Sequence, residues 1–499
     1  SIRWLLGARR QPHRVWRMWR CSQLTVLALM AACGGSTSGL RSRGAQSDFV
    51  DRFHVSAPYV ATLINALEAA ADIDDMSPAL RQAYLGKSAY SDLEWLSAYR
   101  DARSYWNVAP YYGHVDASFV PHLRCSYEDA TLQQLLRCMH RVLPGAHVEL
   151  ATRAVLEMDA LLEEKWPRIS SYLGPLTISM QRTLRSDTAR RLVAELKRFM
   201  ALPQTHSIDV RIVVVAKPPG STRLGRREER YLIVEADPSQ GLTQPVVTVF
   251  HELAHFLAQD APQVAVMERE FAKLGRNGMV AAHHWNEAVA TAFEHLVATT
   301  LDPGSRSAEE LYGDPTIDGL ARALSTRWRR DRSLHLGPRF ARELSRMARH
   351  AGLLKGQWRL KDLLFRVATY ANDINVIRAF RSEFFTHTFW GVAPVPGRLQ
   401  RPRGAPPTVP KVVFLTAREL QTYRGLLRQL QIPTPVLRPG DGPLLHWSER
   451  RSGVPTMLVV GQNNLELRQI ARDLGRRAAT LGVPPPGWHS LYLDEAPAH

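Results

Sequence analysis

From about residue 48 to 205, apolar positions recur at spacings of three and four, the signature of helices that bury one face. Val60–Ala71, Ser91–Trp106, Leu132–Leu143, Val148–Lys165 and Thr188–Met200 carry this spacing, and Pro167, Gly174-Pro175 and Pro203 punctuate them. The period then drops to two. Ile208-Asp209-Val210-Arg211-Ile212 alternates and runs on to Ala216, and Tyr231–Ala236 follows a Pro/Gly/Arg-rich connection. These are two predicted strands, expected to pair and to lead through Asp237-Pro238 into a helix over Val246–Asp260. Beyond that the chain reads as helical again, over Glu287 and its neighbours, Thr316–Arg327, Pro338–Arg349 and one long stretch from Trp358 to about Phe385.

Gly391–Pro410 holds Pro394, Pro396, Pro402, Pro406, Pro407 and Pro410 and reads as a linker. After it, strand-like Val412–Thr416 and Thr456–Val460 alternate with helical Arg418–Leu430 and Leu465–Leu481, with Leu491–Leu493 as a last short strand. Such alternation predicts a small α/β unit. The chain shows no internal repeat and no phosphate-binding glycine motif.

The helix over Val246–Asp260 carries the chemistry. It contains His251-Glu252-Leu253-Ala254-His255, an H-E-x-x-H. Two histidines four apart share a helix face and can reach one metal ion. Glu252, one step round, can take the proton of a water activated there. From Thr248 to Leu257 the only titratable residues are these three, among Val249, Phe250, Leu253, Ala254, Phe256 and Leu257. A carboxylate and two imidazoles buried in such company need a partner, and zinc is the expected one.

A zinc site of this kind takes a third protein ligand and keeps one position open. The metzincin arrangement is excluded, because Ala258 and Ala261 stand where its glycine and third histidine belong. Glu287 is the expected third ligand. It sits in an apolar helix with Ala290 and Thr291 at i+3 and i+4, small residues that let two helices approach closely. Glu294 is the alternative ligand or a partner for a histidine; His283 and His284 read as preceding the helix. From about Ile208 to Leu296 the chain resembles the gluzincins, zinc metallopeptidases with H-E-x-x-H on one helix and a glutamate ligand, often Asn-Glu as in Asn286-Glu287, on a later one. The resemblance implies a zincin-like core and peptide hydrolysis. It also implies a strand ahead of the active-site helix that binds substrate along its edge, for which Ile208–Ala216 or Tyr231–Ala236 is expected. Where the family often places an acidic residue one turn after the glutamate ligand, this chain has Thr291. Tyr312 and Tyr370 are candidates for steadying an oxyanion, and either reads equally as an ordinary core or surface aromatic.

Composition adds compartment rather than chemistry. With 45% hydrophobic and 22% charged residues, 499 residues make an ordinary globular chain of several domains. The formal charge is +17, of which six come from Arg3, Arg9, Arg10, Arg14, Arg17 and Arg20. The remaining excess is spread along the chain with no basic run interleaved with aromatics, so no nucleic-acid partner is expected. Residues 1–32 read as a signal peptide: a basic segment, an apolar run over Leu24–Met30, then small residues. Met30-Ala31-Ala32-Cys33 resembles a bacterial lipobox, which implies cleavage before Cys33, acylation of its thiol and anchoring to the outer membrane of a bacterial envelope. Residues 33–47 are then a flexible tether.

The thiols left for a disulfide are Cys125 and Cys138, and an exported protein favours one. A straight helix starting at Ser126 would carry Cys138 roughly 18 Å away. Thr131-Leu132-Gln133-Gln134 reads instead as a capping box, and a helix starting there lets Tyr127–Ala130 fold back so that the two can bond.

The expected class is α+β, predominantly α-helical. A helical region over 48–205 precedes a zincin-like metallopeptidase core over 206–390, a linker over 391–410 and a small α/β domain over 411–499. The expected activity is zinc-dependent hydrolysis of peptide bonds in the cell envelope. The alternatives are a non-catalytic lipoprotein with a structural or degenerate metal site, and a hydrolase of a cell-wall amide.

Overall fold

The computed structural model describes residues 51–70, 95–96, 99, 125–127, 131–143, 145–217, 225–228, 230–302, 313–355, 358–384, 388–392, 409–435, 442–449 and 454–491. The expected signal peptide, Cys33, the tether, Tyr312 and most of the Pro-rich linker lie outside them. The chain is mostly helical with two small sheets, an α+β protein dominated by helix. In chain order its elements begin with β1 (Arg52–Ser56), α1 (Tyr59–Ala70), α2 (Leu132–Val142), α3 (Gly145–Glu163), α4 (Trp166–Leu184) and α5 (Asp187–Phe199). Strands β2 (Asp209–Ala216), β3 (Gly225–Glu228) and β4 (Tyr231–Ala236) follow, then α6 (Thr243–Asp260), α7 (Val264–Phe271), α8 (Gly275–Leu301), α9 (Pro315–Arg330) and α10 (Pro338–Lys355). The remainder comprises α11 (Leu360–Leu364), β5 (Arg366–Tyr370), α12 (Ile374–Glu383), β6 (Thr388–Val392), β7 (Lys411–Thr416), α13 (Glu419–Thr422) and α14 (Arg424–Gln429). Last come β8 (Leu444–Glu449), β9 (Pro455–Gly461), α15 (Asn464–Arg477) and β10 (Gly487–Ser490).

The first sheet has the order β1-β2-β4-β3, parallel except for β3, which runs antiparallel to β4 with Gly225 opposite Val234. Strands β2 and β4 read as near-continuous apolar runs because both of their faces are covered. Alternate residues divide between two cores. Val210, Ile212, Val214, Leu232 and Val234 face the helices that carry the chemistry, whereas Val213, Val215, Tyr231 and Ile233 face α1, α2 and α3. The sheet is thus a partition between the helical N-terminal layer and the metal-site layer.

At two places the chain departs from its sequence pattern. No strand was expected before Ile208, yet Arg52–Ser56 pairs with β2. Five residues are too few to show a period, and the strand exists because β2 offers an edge. Its first turn is fixed by Asp51, whose carboxylate takes a 2.8 Å ion pair from the buried Lys197 and a 3.1 Å hydrogen bond from the Ile208 N–H. The outer edge of β1 is closed by one side chain. Gln181 Nε2 donates to the Phe53 carbonyl at 2.8 Å, and the Val55 N–H donates to Gln181 Oε1 at 3.1 Å. Second, Gly174-Pro175 does not break the chain; Pro175 lies inside α4, whose Leu173, Met180 and Leu184 are buried firmly enough to carry the lost N–H bond.

The second sheet has the order β10-β8-β9-β7-β5-β6, with β9, β7, β5 and β6 parallel and β8 and β10 antiparallel. Here the long helix expected from Trp358 to Phe385 is replaced by α11, β5 and α12. Val367, Thr369 and Tyr370 are strand formers, Thr369 and Tyr370 with partners on both sides, and Asp373 caps the helix that follows, accepting from the Asn375 N–H at 2.9 Å. The sheet draws β5 and β6 from before residue 393 and the other four strands from beyond 410, so the proline-rich stretch joins two parts of one sheet. Helices α12 and α15 pack so closely that a Cβ at Gly475 would lie 2.9 Å from Glu383 Cβ and 3.0 Å from the Phe380 carbonyl oxygen. This sheet is tied to α8 by a paired Arg276–Glu449 contact at 2.6 Å, and α11 is tied to α8 by His284 Nε2 donating to the Asp362 carbonyl at 3.1 Å.

Cys125 and Cys138 are joined, with Cα atoms 5.8 Å apart. The capping box is present: the Gln134 N–H donates to Thr131 Oγ1, and the Thr131 N–H donates to Gln134 Oε1 at 2.7 Å. By starting α2 at Leu132 it lets the chain fold back to bring the thiols together. No described helix is long and apolar enough to cross a membrane.

Candidate metal centre

Helix α6 leaves the sheet through a short 3₁₀ turn, where the Asp237 carboxylate accepts from the Ser239 N–H at 2.8 Å. Val246, Val247, Val249, Phe250, Leu253, Ala254 and Leu257 bury it between the sheet and α8. Both helices are apolar nearly all round, as expected of elements inside a core. The small Ala290 and Thr291 of α8 are buried at the crossing, and Phe250 meets Phe293 edge-on with centroids 6.0 Å apart.

This packing brings His251, His255 and Glu287 together, with one donor atom from each within 4.8 Å of the others. Among the described residues they are the one such group that could hold a metal ion. His251 Nε2 lies 3.2 Å from His255 Nε2 and 3.5 Å from Glu287 Oε2, and His255 Nε2 lies 3.3 Å from Glu287 Oε1. A tetrahedral metal with arms of about 2.0–2.1 Å has edges of about 3.3–3.4 Å, so the triangle already has the size of one face of its coordination shell. Glu287 points inward and is 2% exposed.

Glu294 is a partner, not part of the donor triangle. It accepts from His251 Nδ1 at 2.9 Å, fixing the imidazole with Nε2 toward the triangle. That role comes from two turns beyond Glu287 rather than one; the Thr291 hydroxyl, at the one-turn position, has no hydrogen-bond partner among the described residues. Burial disfavours a charged His251, but hydrogen bonds to Glu287 and Glu294 outweigh it and raise its pKa well above the ordinary value. Without a metal, the charged imidazolium is thus favoured between the two carboxylates, one N–H directed at each. Glu252, Glu287 and Glu294 place three acids round two imidazoles in a mostly dry setting, a charge balance that suits a divalent cation.

Glu252 is 6% exposed and lies outside the donor triangle. A Cβ at Gly225 on β3 would stand 3.1 Å from Glu252 Oε1 and 2.5 Å from Thr248 Cγ2, so the strand passes directly over this carboxylate. This revises the expected substrate strand. Neither Ile208–Ala216 nor Tyr231–Ala236 is at an edge; both are interior, and β3 is the edge strand beside α6. Four residues with two arginines gave no alternation to find it by.

Several other expectations move as well. His283 and His284 do not precede the helix, because α8 starts at Gly275, where a positive φ of 64° makes the turn. Both are buried; His284 stacks on Phe365 at 4.3 Å and takes no part in the donor group. Tyr370 is fully buried in the apolar cluster on the opposite face of the second sheet from α12 and α15. Arg366 stands at the start of β5, in the stretch whose spacing predicts helix, and the carboxylates of Glu268 and Glu287 act on its charge. Comparison of the chain with protein-family models, curated proteins and solved structures finds no match in any of the three.

Proposed function

We propose that the protein is a zinc-dependent hydrolase of peptide bonds. The observation that carries the reading is a three-donor group of metal-shell size with a carboxylate, Glu252, next to it on the same helix but outside the group. Three protein donors suit a site that leaves a position for the reaction, and a structural site would have no use for Glu252. The residues fit zinc: two imidazole nitrogens and a carboxylate oxygen, with one histidine held by an outer acid. Zinc bound there would supply a Lewis acid able to acidify water and polarise a carbonyl.

The rest falls to the chain itself. His251, His255 and Glu287 hold the ion, and Glu294 orients His251. Glu252 accepts a proton from the attacking water and returns it to the leaving amine. Strand β3, with β4 as its one strand partner among the described residues, offers its other edge to an extended peptide, which would then lie across Glu252. The Cys125–Cys138 bond supports an oxidising compartment, in keeping with action in a bacterial envelope on peptides or proteins there. The anchor at Cys33 and the outer-membrane location belong to the same proposal.

Metal analysis of the purified protein with peptide-library cleavage tests it. Glu252→Gln should keep zinc and fold while losing about 10²–10⁴ in rate. A Glu252→Gln protein as active as wild type would remove Glu252 as base, and zinc held without any cleavage would favour a structural site.

A further inference from the structure

Arg366 is a cation with few and distant partners among the described residues. It opens β5, where the second sheet meets α8, and one fifth of its side chain (21%) remains exposed. Its Nη1 reaches the Ala282 carbonyl at 3.5 Å, the limit of a hydrogen bond, and the Glu268 carboxylate at 4.0 Å. Its Nε is buried and has no partner among the described residues. Guanidinium carries five N–H donors, and among the described residues they meet only these two acceptors. A buried charge so poorly paired is ordinarily expensive, and proteins retain one where it serves something other than stability.

Position says what that is. Burial depresses the Arg366 pKa in spite of the nearby Glu268 and Glu287 carboxylates, and four fifths of the side chain is enclosed. The remaining fifth is open to solvent and so can be reached by a ligand. Ala282, its carbonyl partner, is on the same helix as Glu287 and about one turn before it. The guanidinium is therefore a neighbour of the metal group, yet it makes no ion pair with Glu287. An anion held by Arg366 would lie beside the metal position instead of on it.

Resting on the hydrolase reading above, we propose that Arg366 binds a carboxylate of the substrate close to the scissile bond, and so selects peptides that carry one there. Arginine suits this because its planar fork matches a carboxylate in a two-bond contact. The carboxylate has two sources, a chain terminus or an Asp or Glu side chain, and the test separates them.

Acetylated tripeptides made as free acids and as amides, and amides with Glu beside the scissile bond, are assayed on the zinc-loaded protein. The expected result is a preference for the carboxylate-bearing forms of roughly 10- to 100-fold in kcat/KM, mostly in KM. Arg366→Gln should abolish the preference and Arg366→Lys restore part of it, with zinc content unchanged. Preference for the free acid alone assigns a chain terminus; equal preference for the Glu amide assigns a carboxylate of either origin. Calorimetric titration of the metal-free protein with the acid and amide forms reads the same recognition without turnover. Thermal melting gives a third readout: removing an underpaired cation should leave Tm unchanged or raise it. An unchanged preference in Arg366→Gln, or no difference between acid and amide in the metal-free titration, overturns the proposal. So does a lower Tm with no change in preference, which would make Arg366 a structural cation. If zinc-loaded wild type cleaves nothing, the hydrolase reading falls, and the metal-free titration still decides Arg366.

Discussion

Glu294→Ala is the most informative single change at the metal centre. The residue binds no other described group, and its carboxylate accepts one 2.9 Å hydrogen bond from His251 Nδ1. Its side chain is 16% exposed, so solvent screens the pair only slightly. Hydrogen bonds to charged groups contribute about 1.5–3 kcal/mol. At about 1.4 kcal/mol per tenfold, metal affinity should weaken by about 10- to 100-fold, the range typical of outer partners of metal-bound histidines. The loss has two parts, the orientation of the ring and the basicity of Nε2. Glu294→Gln keeps an acceptor oxygen for Nδ1–H and loses the charge, so it should fall between wild type and Ala. Competition with a chromophoric chelator measures the affinities, and circular dichroism checks the fold. Wild-type affinity in Glu294→Ala would show that the hydrogen bond does nothing for the metal. Complete loss of metal would mean that Glu294 is itself a ligand.

Metal binding should release protons, because the raised His251 pKa keeps that ring protonated in the metal-free protein. An unshifted imidazole would release only about a quarter of a proton at pH 7, whereas this one should release close to one. Calorimetry in buffers of different ionisation enthalpy counts it, and a value near a quarter would refute the shift. By the same linkage, the stabilisation that His251 gives the metal-free fold is complete below its ordinary value of 6.5 and fades as pH rises through the higher folded value. Gly225→Ala would push a methyl group into Thr248 and onto Glu252. It should reduce turnover at least tenfold with metal content unchanged, by an amount set by a displaced base; full activity would show that β3 has room to spare.

The centre of the molecule was legible in its residues because its signals are local. His251, Glu252 and His255 lie within one helix turn, and the apolar residues round them exclude a surface role. Glu287 could be read because Ala290 and Thr291 announce a close helix crossing. What escaped depends on partners remote in sequence. Arg52–Ser56 and Gly225–Glu228 are too short to show a period and are strands only because β2 and β4 lie beside them. Arg366–Tyr370 has β-forming residues, but the helical spacing on either side of it masked a strand that two neighbours stabilise. Arg366 was lost with it, since an arginine in a supposed surface helix needs no explanation. Glu294 was visible as a candidate, but only the antiparallel course of α6 and α8 places it beside His251 rather than in the donor triangle.

The amide of Gln181 has a consequence for traffic at the first sheet. An extended chain seeking an unsatisfied strand could dock at either flank, and docking on β1 would tie it up far from any reactive group. By answering the Phe53 carbonyl and the Val55 N–H itself, Gln181 makes that flank a poor host. The sheet becomes one-sided, and a peptide bound as proposed would find the better host in the flank that passes over Glu252. Decoy occupancy would thereby be suppressed by a residue that belongs to neither the donor triangle nor its outer partner.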